Sequence, residues 1–297
     1  MKKYLYVFIF TVLYIGIANA NLITINKNTK LWVQQYGHGK PTIILINGGG
    51  DTIDTEWTKI IPMLSKTTSI LAYDRPGQMK STPLPNMKPV TAKSVVFSLR
   101  QLLTKLNIKP PYMLVAHSSG ALYAQYFARN YPNEISGLVM IDGNLVTEQF
   151  PKTVSWISPK TARFIQNYNQ AHLVKMENTL KTIHPPYTKK QLAQITYVLE
   201  VIGKQESAKE IMNSPPLSKN LSLAVLVSGT YPLEIKLQKE FSAQVPNSIF
   251  MQFPKAGHYI QNDDPKAVID IINKISLRTK NKTALIYHCN KSLHASA

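Results

Sequence analysis

The ten residues from Tyr112 to Ala121, Tyr-Met-Leu-Val-Ala-His-Ser-Ser-Gly-Ala, constrain the fold more than any other part of the chain. Their first half is an apolar run typical of a strand buried on both faces, and a helical pattern follows directly. Between strand and helix lies the pattern small-x-Ser-x-Gly, with Ala116 and Gly120 on either side of Ser118. Such a sharp turn lifts the serine above the sheet edge and needs small neighbours two residues away. The segment therefore predicts a parallel sheet with an accessible serine at its edge.

Short apolar runs of the same kind recur along the chain and alternate with helical stretches. The clearest helix is expected over Thr91–Leu106, where six apolar side chains share one face. Alternation of strand and helix predicts an α/β protein, with a mostly parallel central sheet flanked by helices. The other expected strands are Leu22–Ile25 and Lys30–Gly37, which form an opening hairpin, then Thr42–Ile46, Ser69–Tyr73, Leu138–Ile141, Leu223–Val227 and Ser248–Met251.

The alternation is interrupted over residues 144–221, where amphipathic helical patterns and prolines replace buried strands. The strand pattern resumes at Leu223, so this segment is interpreted as a helical cap inserted between strands 6 and 7. The core is then expected over residues 21–143 and 222–277. Residues 278–297 are basic, contain no acidic residue, and are predicted to form a flexible tail.

Residues 1–20 have the layout of a secretory signal peptide. Lys2 and Lys3 precede an apolar run over Tyr4–Ile17, which ends in the small-residue site Ala18-Asn19-Ala20. Cleavage after Ala20 would make the protein exported. The alternative is a membrane anchor formed by the uncleaved segment, although the run is shorter than the roughly 20 apolar residues that a spanning helix needs.

The cysteine count and the net charge limit the compartments and surfaces where this protein is expected to act. Cys289 is the only cysteine of the 297 residues, so an intrachain disulfide is impossible, and export without disulfides favours a bacterial periplasm or the cell exterior. Lys and Arg outnumber Asp and Glu by 34 to 16, a net charge of +18. This excess indicates contact with an anionic membrane or envelope surface, or else serves solubility alone. No dense basic block marks a nucleic-acid site.

Three further motifs, at the ends of other expected strands, accompany the serine turn. Together the four resemble the motifs of the α/β-hydrolase superfamily, in its branch of serine esterases and proline-iminopeptidase-like enzymes with a helical cap. The resemblance covers about Leu22 to Ile275, in the family's order. The three are Ile46-Asn47-Gly48-Gly49-Gly50, Tyr73-Asp74-Arg75-Pro76-Gly77, and Ala256-Gly257-His258 followed by Asp263 and Pro265.

The resemblance implies Ser118 as nucleophile and His258 as its base. A serine hydroxyl is a weak nucleophile, and an imidazole suits the removal of its proton. Backbone N–H groups of Ser119 and Gly49 are expected to stabilise the oxyanion, although Asn47 stands where the family has histidine. His117 is next to the serine but is expected to point away from it, with a packing role.

The acidic third member stays open between two residues. In the family's commonest arrangement the acid follows strand 7, where Pro232 stands and Glu234 comes slightly late. Some members place it at the end of strand 6, where Asp142 stands. Asp142 is preferred, and Glu234 is the alternative. Asp74, Asp263 and Asp264 are expected to have structural roles, the last two as caps of the final helix.

The expected function is hydrolysis of carboxylic esters of small acyl substrates through an acyl-enzyme intermediate. Within the fold, the alternative is an aminopeptidase of the proline-iminopeptidase type, which needs acidic groups such as Glu148, Glu177 or Glu200 to bind a free amine. A further alternative is a non-catalytic binding protein of the cell envelope on the same scaffold. No cofactor is expected, and no His or Cys pair stands at metal-ligand spacing.

Overall fold

The computed structural model describes residues 19–84, 88–146, 171, 174, 175, 177–229 and 232–294, without the side chains of residues 19, 232–234 and 281–294. The predicted signal peptide therefore lies outside the described residues, apart from its last two positions. Among the described helices, none has the length and apolar character needed to cross a bilayer.

Eight strands form one sheet in the order β1-β2-β4-β3-β5-β6-β7-β8. The first two strands pair antiparallel, β2 pairs antiparallel with β4, and all the remaining pairs are parallel. The strands are β1 Asn19–Asn26, β2 Thr29–Tyr36, β3 Thr42–Ile46, β4 Ile70–Tyr73, β5 Tyr112–His117, β6 Ile135–Ile141, β7 Ser222–Ser228 and β8 Ile249–Phe253.

Helices cover both faces of the sheet, which explains why every residue of the inner strands β3, β4, β5 and β7 is buried. In β3, Ile44 and Ile46 join the core on one side, while Ile43 and Leu45 join the core on the other. Helices α3 to α6 contribute to the first core, and α1, α2 and α8 to the second. The helices are α1 Ile53–Glu56, α2 Ile61–Leu64, α3 Ala92–Lys105, α4 Gly120–Asn130, α5 Lys189–Met212, α6 Pro232–Ser242, α7 Ile260–Asp263 and α8 Pro265–His294.

The predicted fold class is confirmed, with every expected strand present and the long insertion between β6 and β7. The described part of that insertion contains α5, a helix of 24 residues. The helix expected over Thr91–Leu106 spans Ala92–Lys105, with Thr91 as its N-cap, whose hydroxyl accepts the Ser94 N–H.

The expectation of a flexible tail over residues 278–297 differs from the structure. Helix α8 begins at Pro265 and continues to His294, through most of the basic segment. The chain has no proline or glycine after Pro265, so nothing in the sequence interrupts the helix. Basic residues near a helix C-terminus are also favourable to the helix dipole.

The edge strand β1 includes the last two residues of the predicted signal peptide. Asn19 pairs with Gln35, and Ala20 pairs with Gln34. A mature chain that begins at Asn21 would keep the rest of β1, because the register continues from Asn21 opposite Val33.

Candidate active site

Ser118 lies in the turn between β5 and α4, at the carboxyl edge of the sheet. Its φ is +50°, a left-handed conformation that non-glycine residues rarely adopt. Three hydrogen bonds hold this backbone. The Ser118 N–H donates to the Ile141 carbonyl at 3.0 Å, and the Ser118 carbonyl accepts the N–H groups of Asn144 at 2.9 Å and Ala121 at 3.1 Å. Gly120 permits the turn, since a Cβ there would lie 2.5 Å from the Ile46 carbonyl oxygen. The small-x-Ser-x-Gly pattern is therefore a steric requirement of this fold.

His258 follows β8 and meets both Ser118 and Asp142. Its Nε2 lies 2.9 Å from the Ser118 Oγ, and its Nδ1 lies 2.7 Å from the Asp142 Oδ2. A ring that donates from Nδ1 to the carboxylate presents an unprotonated Nε2 to the hydroxyl. The three side chains thus form a continuous hydrogen-bonded series from a buried acid to a half-buried serine.

Asp142 comes directly after β6, with a φ of +43°. One carboxylate oxygen accepts the Ser228 N–H at 2.8 Å, and the other accepts the Ser228 hydroxyl at 3.1 Å. Burial raises the pKa of Asp142, but the hydrogen bonds with His258 and Ser228 outweigh burial and lower the pKa below its usual value. The carboxylate therefore stays charged opposite the imidazole.

Glu234, the alternative acid, lies in the first turn of α6, and its side chain is outside the described part of the structure. Pro232 is the first residue of that helix. It occupies the position where the resemblance places the acid in the family's commonest arrangement. Of the two candidates, Asp142 is the one that the structure brings to His258.

The glycine loop, Gly48–Gly50, follows β3 and lies beside the serine turn. The Gly48 N–H donates to both carboxylate oxygens of Glu56 at 3.1 and 3.0 Å, and the Gly50 N–H donates to Glu200 at 3.0 Å. Between them, the Gly49 N–H has no acceptor among the described residues. A Cβ on Gly49 would lie only 3.1 Å from the Ser119 Oγ, so the two segments are in close approach.

The N–H of Ser119 also has no acceptor within the described part of the chain. Gly49 and Ser119, the two positions expected to contribute to an oxyanion hole, are thus adjacent and carry unused donors. In a site that binds an anionic intermediate, such pre-oriented donors are the largest single source of stabilisation.

A buried ion pair between Arg75 and Glu200 supports the glycine loop. The Arg75 guanidinium donates to the carbonyls of Asn47 and Gly48 at 2.6 and 2.8 Å. It also lies 2.7 Å from Glu200 on α5, and both side chains are 1% exposed. The insertion therefore contacts the loop directly, through a carboxylate whose two oxygens accept hydrogen bonds from Arg75 and from the Gly50 N–H.

Asn47, which replaces the family's histidine, has a structural position. Its side chain accepts the Trp57 indole N–H at 2.6 Å and donates to the Tyr73 carbonyl at 3.3 Å. Asp74 is also structural, as expected, since it accepts the Ile53 N–H at 2.9 Å. Burial raises the pKa of Asp74 to about 6.

The two aspartates expected to cap the final helix behave differently. Asp264 accepts the Ala267 N–H at 3.1 Å and caps α8 ahead of Pro265, whereas Asp263 instead accepts the Gly257 N–H at 2.7 Å.

Comparison with known proteins shows the family of this chain. A family model described as alpha/beta hydrolase fold matches residues 41–265. The chain belongs to the α/β-hydrolase family. A protein of Gibberella zeae, described as an AB hydrolase superfamily protein, is 19% identical in an alignment of 279 positions, gaps included, that covers 80% of this chain and 86% of that relative. Four other relatives, 32–33% identical, align over only 102–117 residues and 15–41% of their own length.

Two solved esterase structures resemble this α/β-hydrolase over most of its length. A thermophilic esterase from Thermogutta terrifontis has a TM-score of 0.58 at 19% identity, covering 89% of this chain and 98% of its own. A structure from a study of carboxylesterases of Nitrososphaera gargenis has a TM-score of 0.59 at 17% identity, covering 88% of this chain and 100% of its own. At these identities the likeness shows the fold.

His117 makes polar contacts in addition to the packing expected for it. The ring points away from Ser118, as expected, but Nδ1 contacts the Glu56 carboxylate and Nε2 lies 2.9 Å from the His258 carbonyl oxygen. Sequence reasoning also missed Glu56 and the roles of Arg75 and Glu200 beside the loop. The local signal for Glu56 is weak: it is an acidic residue next to Trp57, in a helix that faces the core.

Asp51, Glu56 and His117 each place one potential metal-ligand atom within 4.8 Å of the others. Hydrogen bonds account for this proximity: Glu56 contacts His117 and Gly48, and Asp51 accepts the Tyr259 hydroxyl at 3.2 Å. The absence of a metal from the reaction remains a prediction from the sequence.

Proposed function

We propose that this α/β-hydrolase is an exported serine hydrolase that cleaves carboxylic esters through an acyl-enzyme intermediate. The observation that carries the proposal is the series Ser118–His258–Asp142, with distances of 2.9 and 2.7 Å, beside two unused backbone donors. A nucleophile, a base oriented by an acid, and an oxyanion site are the parts that acyl transfer requires. The esterase structures with the same fold are consistent with this reaction.

In the proposed first half-reaction, the Ser118 Oγ attacks the ester carbonyl carbon while His258 Nε2 takes the hydroxyl proton. The carbonyl oxygen becomes negative and accepts hydrogen bonds from the N–H groups of Gly49 and Ser119. As the carbon–oxygen bond of the leaving group breaks, His258 returns the proton to the alcohol. Water then attacks the acyl-enzyme with His258 again as base, which releases the acid and restores Ser118.

The aminopeptidase alternative receives less support from the described residues. Glu200 is 1% exposed, and Arg75 and the Gly50 N–H already occupy its oxygens, so it has no room for a substrate amine. Glu177 is exposed, and Glu148 lies outside the described residues. A non-catalytic binding protein would have no need of unused donors beside Ser118.

Ester and amide substrates would separate these functions. We would measure p-nitrophenyl acetate and butyrate hydrolysis, and proline p-nitroanilide cleavage, with the chain beginning at Asn21 and with Ser118→Ala as control. Turnover of the esters that disappears in Ser118→Ala supports the proposal. Preferential cleavage of the anilide would favour the aminopeptidase, and no turnover of any substrate would favour the binding protein.

The proposed export and surface contact have a separate basis. Among the described residues, the acids Glu56, Asp74, Asp142 and Glu200 are buried, but only Arg75 and Arg129 of the basic residues. Among the described residues, burial therefore removes more negative than positive charge from the surface. Binding to phosphatidylglycerol vesicles but not phosphatidylcholine vesicles, lost at high salt, would support an anionic surface as partner. N-terminal sequencing of the secreted protein should read from Asn21.

A further inference from the structure

A buried histidine–carboxylate pair lies behind the site and takes no part in the proposed reaction. His117 ends β5 and Glu56 ends α1, and both side chains are 0% exposed. The His117 Nδ1 contacts Glu56 Oε1. Buried ionisable groups are costly unless they are paired, so a pair at this depth calls for a physical role.

Each member of the pair reaches a different loop of the site. The His117 Nε2–H donates to the backbone carbonyl of His258 at 2.9 Å. On the other side, Glu56 accepts the Gly48 N–H with both oxygens. A continuous hydrogen-bonded path therefore joins the loop of the base to the loop that carries Gly49.

The proton count of the pair follows from its partners. A carbonyl oxygen only accepts, so Nε2 must carry a hydrogen, and one further proton lies between Nδ1 and the carboxyl group. Burial raises the pKa of Glu56; burial lowers the pKa of His117, but the hydrogen bond with Glu56 outweighs it and raises that pKa. With the proton on either group, the pair is neutral overall and all three of its contacts are satisfied.

We propose that His117 and Glu56 are positioning residues that fix the backbone of His258 relative to the glycine loop. His258 lies in the loop after β8, and its side chain is 47% exposed. Packing alone therefore does not hold it. Asp142 and Ser118 orient its ring, while His117 anchors its main chain. An error of 1 Å in such a constellation costs about 100-fold in rate. This inference rests on the proposed function of Ser118 and His258.

Two matched pairs of variants test the role. In His117→Gln, the amide nitrogen reaches roughly the position of Nε2 and keeps a donor for the His258 carbonyl. In His117→Asn, the shorter amide takes the position of Nδ1 and leaves that carbonyl without its donor. Likewise, Glu56→Gln keeps an acceptor for the Gly48 N–H, whereas Glu56→Ala removes it.

The measurement is p-nitrophenyl butyrate turnover per active site, where active sites are counted by labelling with a fluorophosphonate. We expect His117→Asn and Glu56→Ala to lose about 10- to 100-fold in kcat per labelled site with KM within twofold, because binding of the ester is untouched. His117→Gln and Glu56→Gln should recover most of that loss. Counting sites separates this effect from misfolding, which lowers the number of sites but not kcat per site.

The inference would be overturned if both His117→Asn and Glu56→Ala kept the wild-type kcat per site. It would also be overturned if each Gln variant lost as much kcat as the Asn or Ala variant at the same position. The failure of the proposed function looks different, since wild-type protein would then neither bind the fluorophosphonate nor hydrolyse the ester. If His117→Asn does not fold, the two Glu56 variants decide the outcome.

Discussion

The two halves of the candidate site are held in place by different kinds of interaction. The strand-end half, Ser118, Asp142 and His258, follows β5, β6 and β8. Backbone hydrogen bonds to neighbouring strands hold Ser118 and Asp142. The Ser118 N–H donates to Ile141, and the Asp142 N–H donates to Leu226 at 2.7 Å. The glycine-loop half, Gly48–Gly50, is instead held by side chains.

The side chains that hold the glycine-loop half include one from a distant part of the sequence. Glu200 is 150 residues from Gly50, and it lies on the insertion between β6 and β7. The positions of Ser118 and Asp142 therefore depend mainly on the sheet, and that of His258 also depends on the contact with His117. The glycine-loop half depends on the buried charges of Glu56, Arg75 and Glu200. Damage to the two halves should consequently have different signatures.

Removal of the nucleophile or of its acid should have the largest effect. We expect Ser118→Ala to reduce kcat by about 10⁴-fold or more, and Asp142→Asn by about 10⁴-fold, because the imidazole loses its orienting partner. Glu234→Gln should stay close to wild type. Ester hydrolysis with purified variants measures all three, and a large loss in Glu234→Gln with normal activity in Asp142→Asn would reassign the acid.

Breaking the buried ion pair should damage stability and activity together. Arg75→Met leaves the Glu200 carboxylate buried without its partner, which costs about 3–5 kcal/mol of unfolding free energy. The double variant Arg75→Met/Glu200→Met removes both charges and should recover much of that stability. It should still turn over ester slowly, because the glycine loop has lost its supports.

Urea unfolding and ester turnover of the single and double variants test this separation. If the double variant regains activity together with stability, the ion pair contributes only to folding. That result would contradict the proposal that the glycine-loop half depends on these buried charges for its geometry.

Crowding the glycine loop should have a smaller effect. A Cβ in Gly49→Ala would lie 3.1 Å from the Ser119 Oγ, so the loop must shift by a few tenths of an ångström. We expect a loss of about 10-fold in kcat, below the 10²–10³-fold loss of a complete oxyanion donor. Gly257→Ala is the matched control, since its nearest contact, Asp263, is at an ordinary 3.4 Å. Equal losses in both variants would remove Gly49 from its proposed role.

The smallest effect concerns acid stability. Because its folded-state pKa is lowered, Asp142 contributes stability that is present above about pH 4 and is lost as the pH falls through the folded-state pKa. The difference in unfolding free energy between wild type and Asp142→Asn should therefore shrink on acidification. Urea unfolding at pH 7, 5 and 3 measures it, and a difference that grows at low pH would contradict the assignment.

The sequence signals for the side chains that meet in the strand-end half are local. Ser118 is marked by the strand, the turn and Gly120, and Asp142 comes directly after a buried run. Residues that act across long separations gave no such signal. Arg75 was seen as part of a turn motif, but its partner Glu200 is 125 residues away on a helix whose position cannot be read from periodicity.

Two other expectations differ from the structure, for physical reasons. The basic segment after Ile275 has the composition of a solvated tail, yet it lacks any residue that would stop α8. His117 was interpreted as a packing residue, since its burial could be predicted from the strand but its contact with Glu56 could not.

Covalent labelling tests the central claim, an activated Ser118, most directly. Wild-type protein, Ser118→Ala and His258→Gln would each be treated with a fluorophosphonate, and the adduct located by mass spectrometry of the intact chain and its peptides. The account predicts one adduct on Ser118 of the wild type, none on Ser118→Ala, and labelling of His258→Gln that is slower by orders of magnitude. No adduct on the wild type, or an adduct on Ser118 whose rate does not depend on His258, would contradict it.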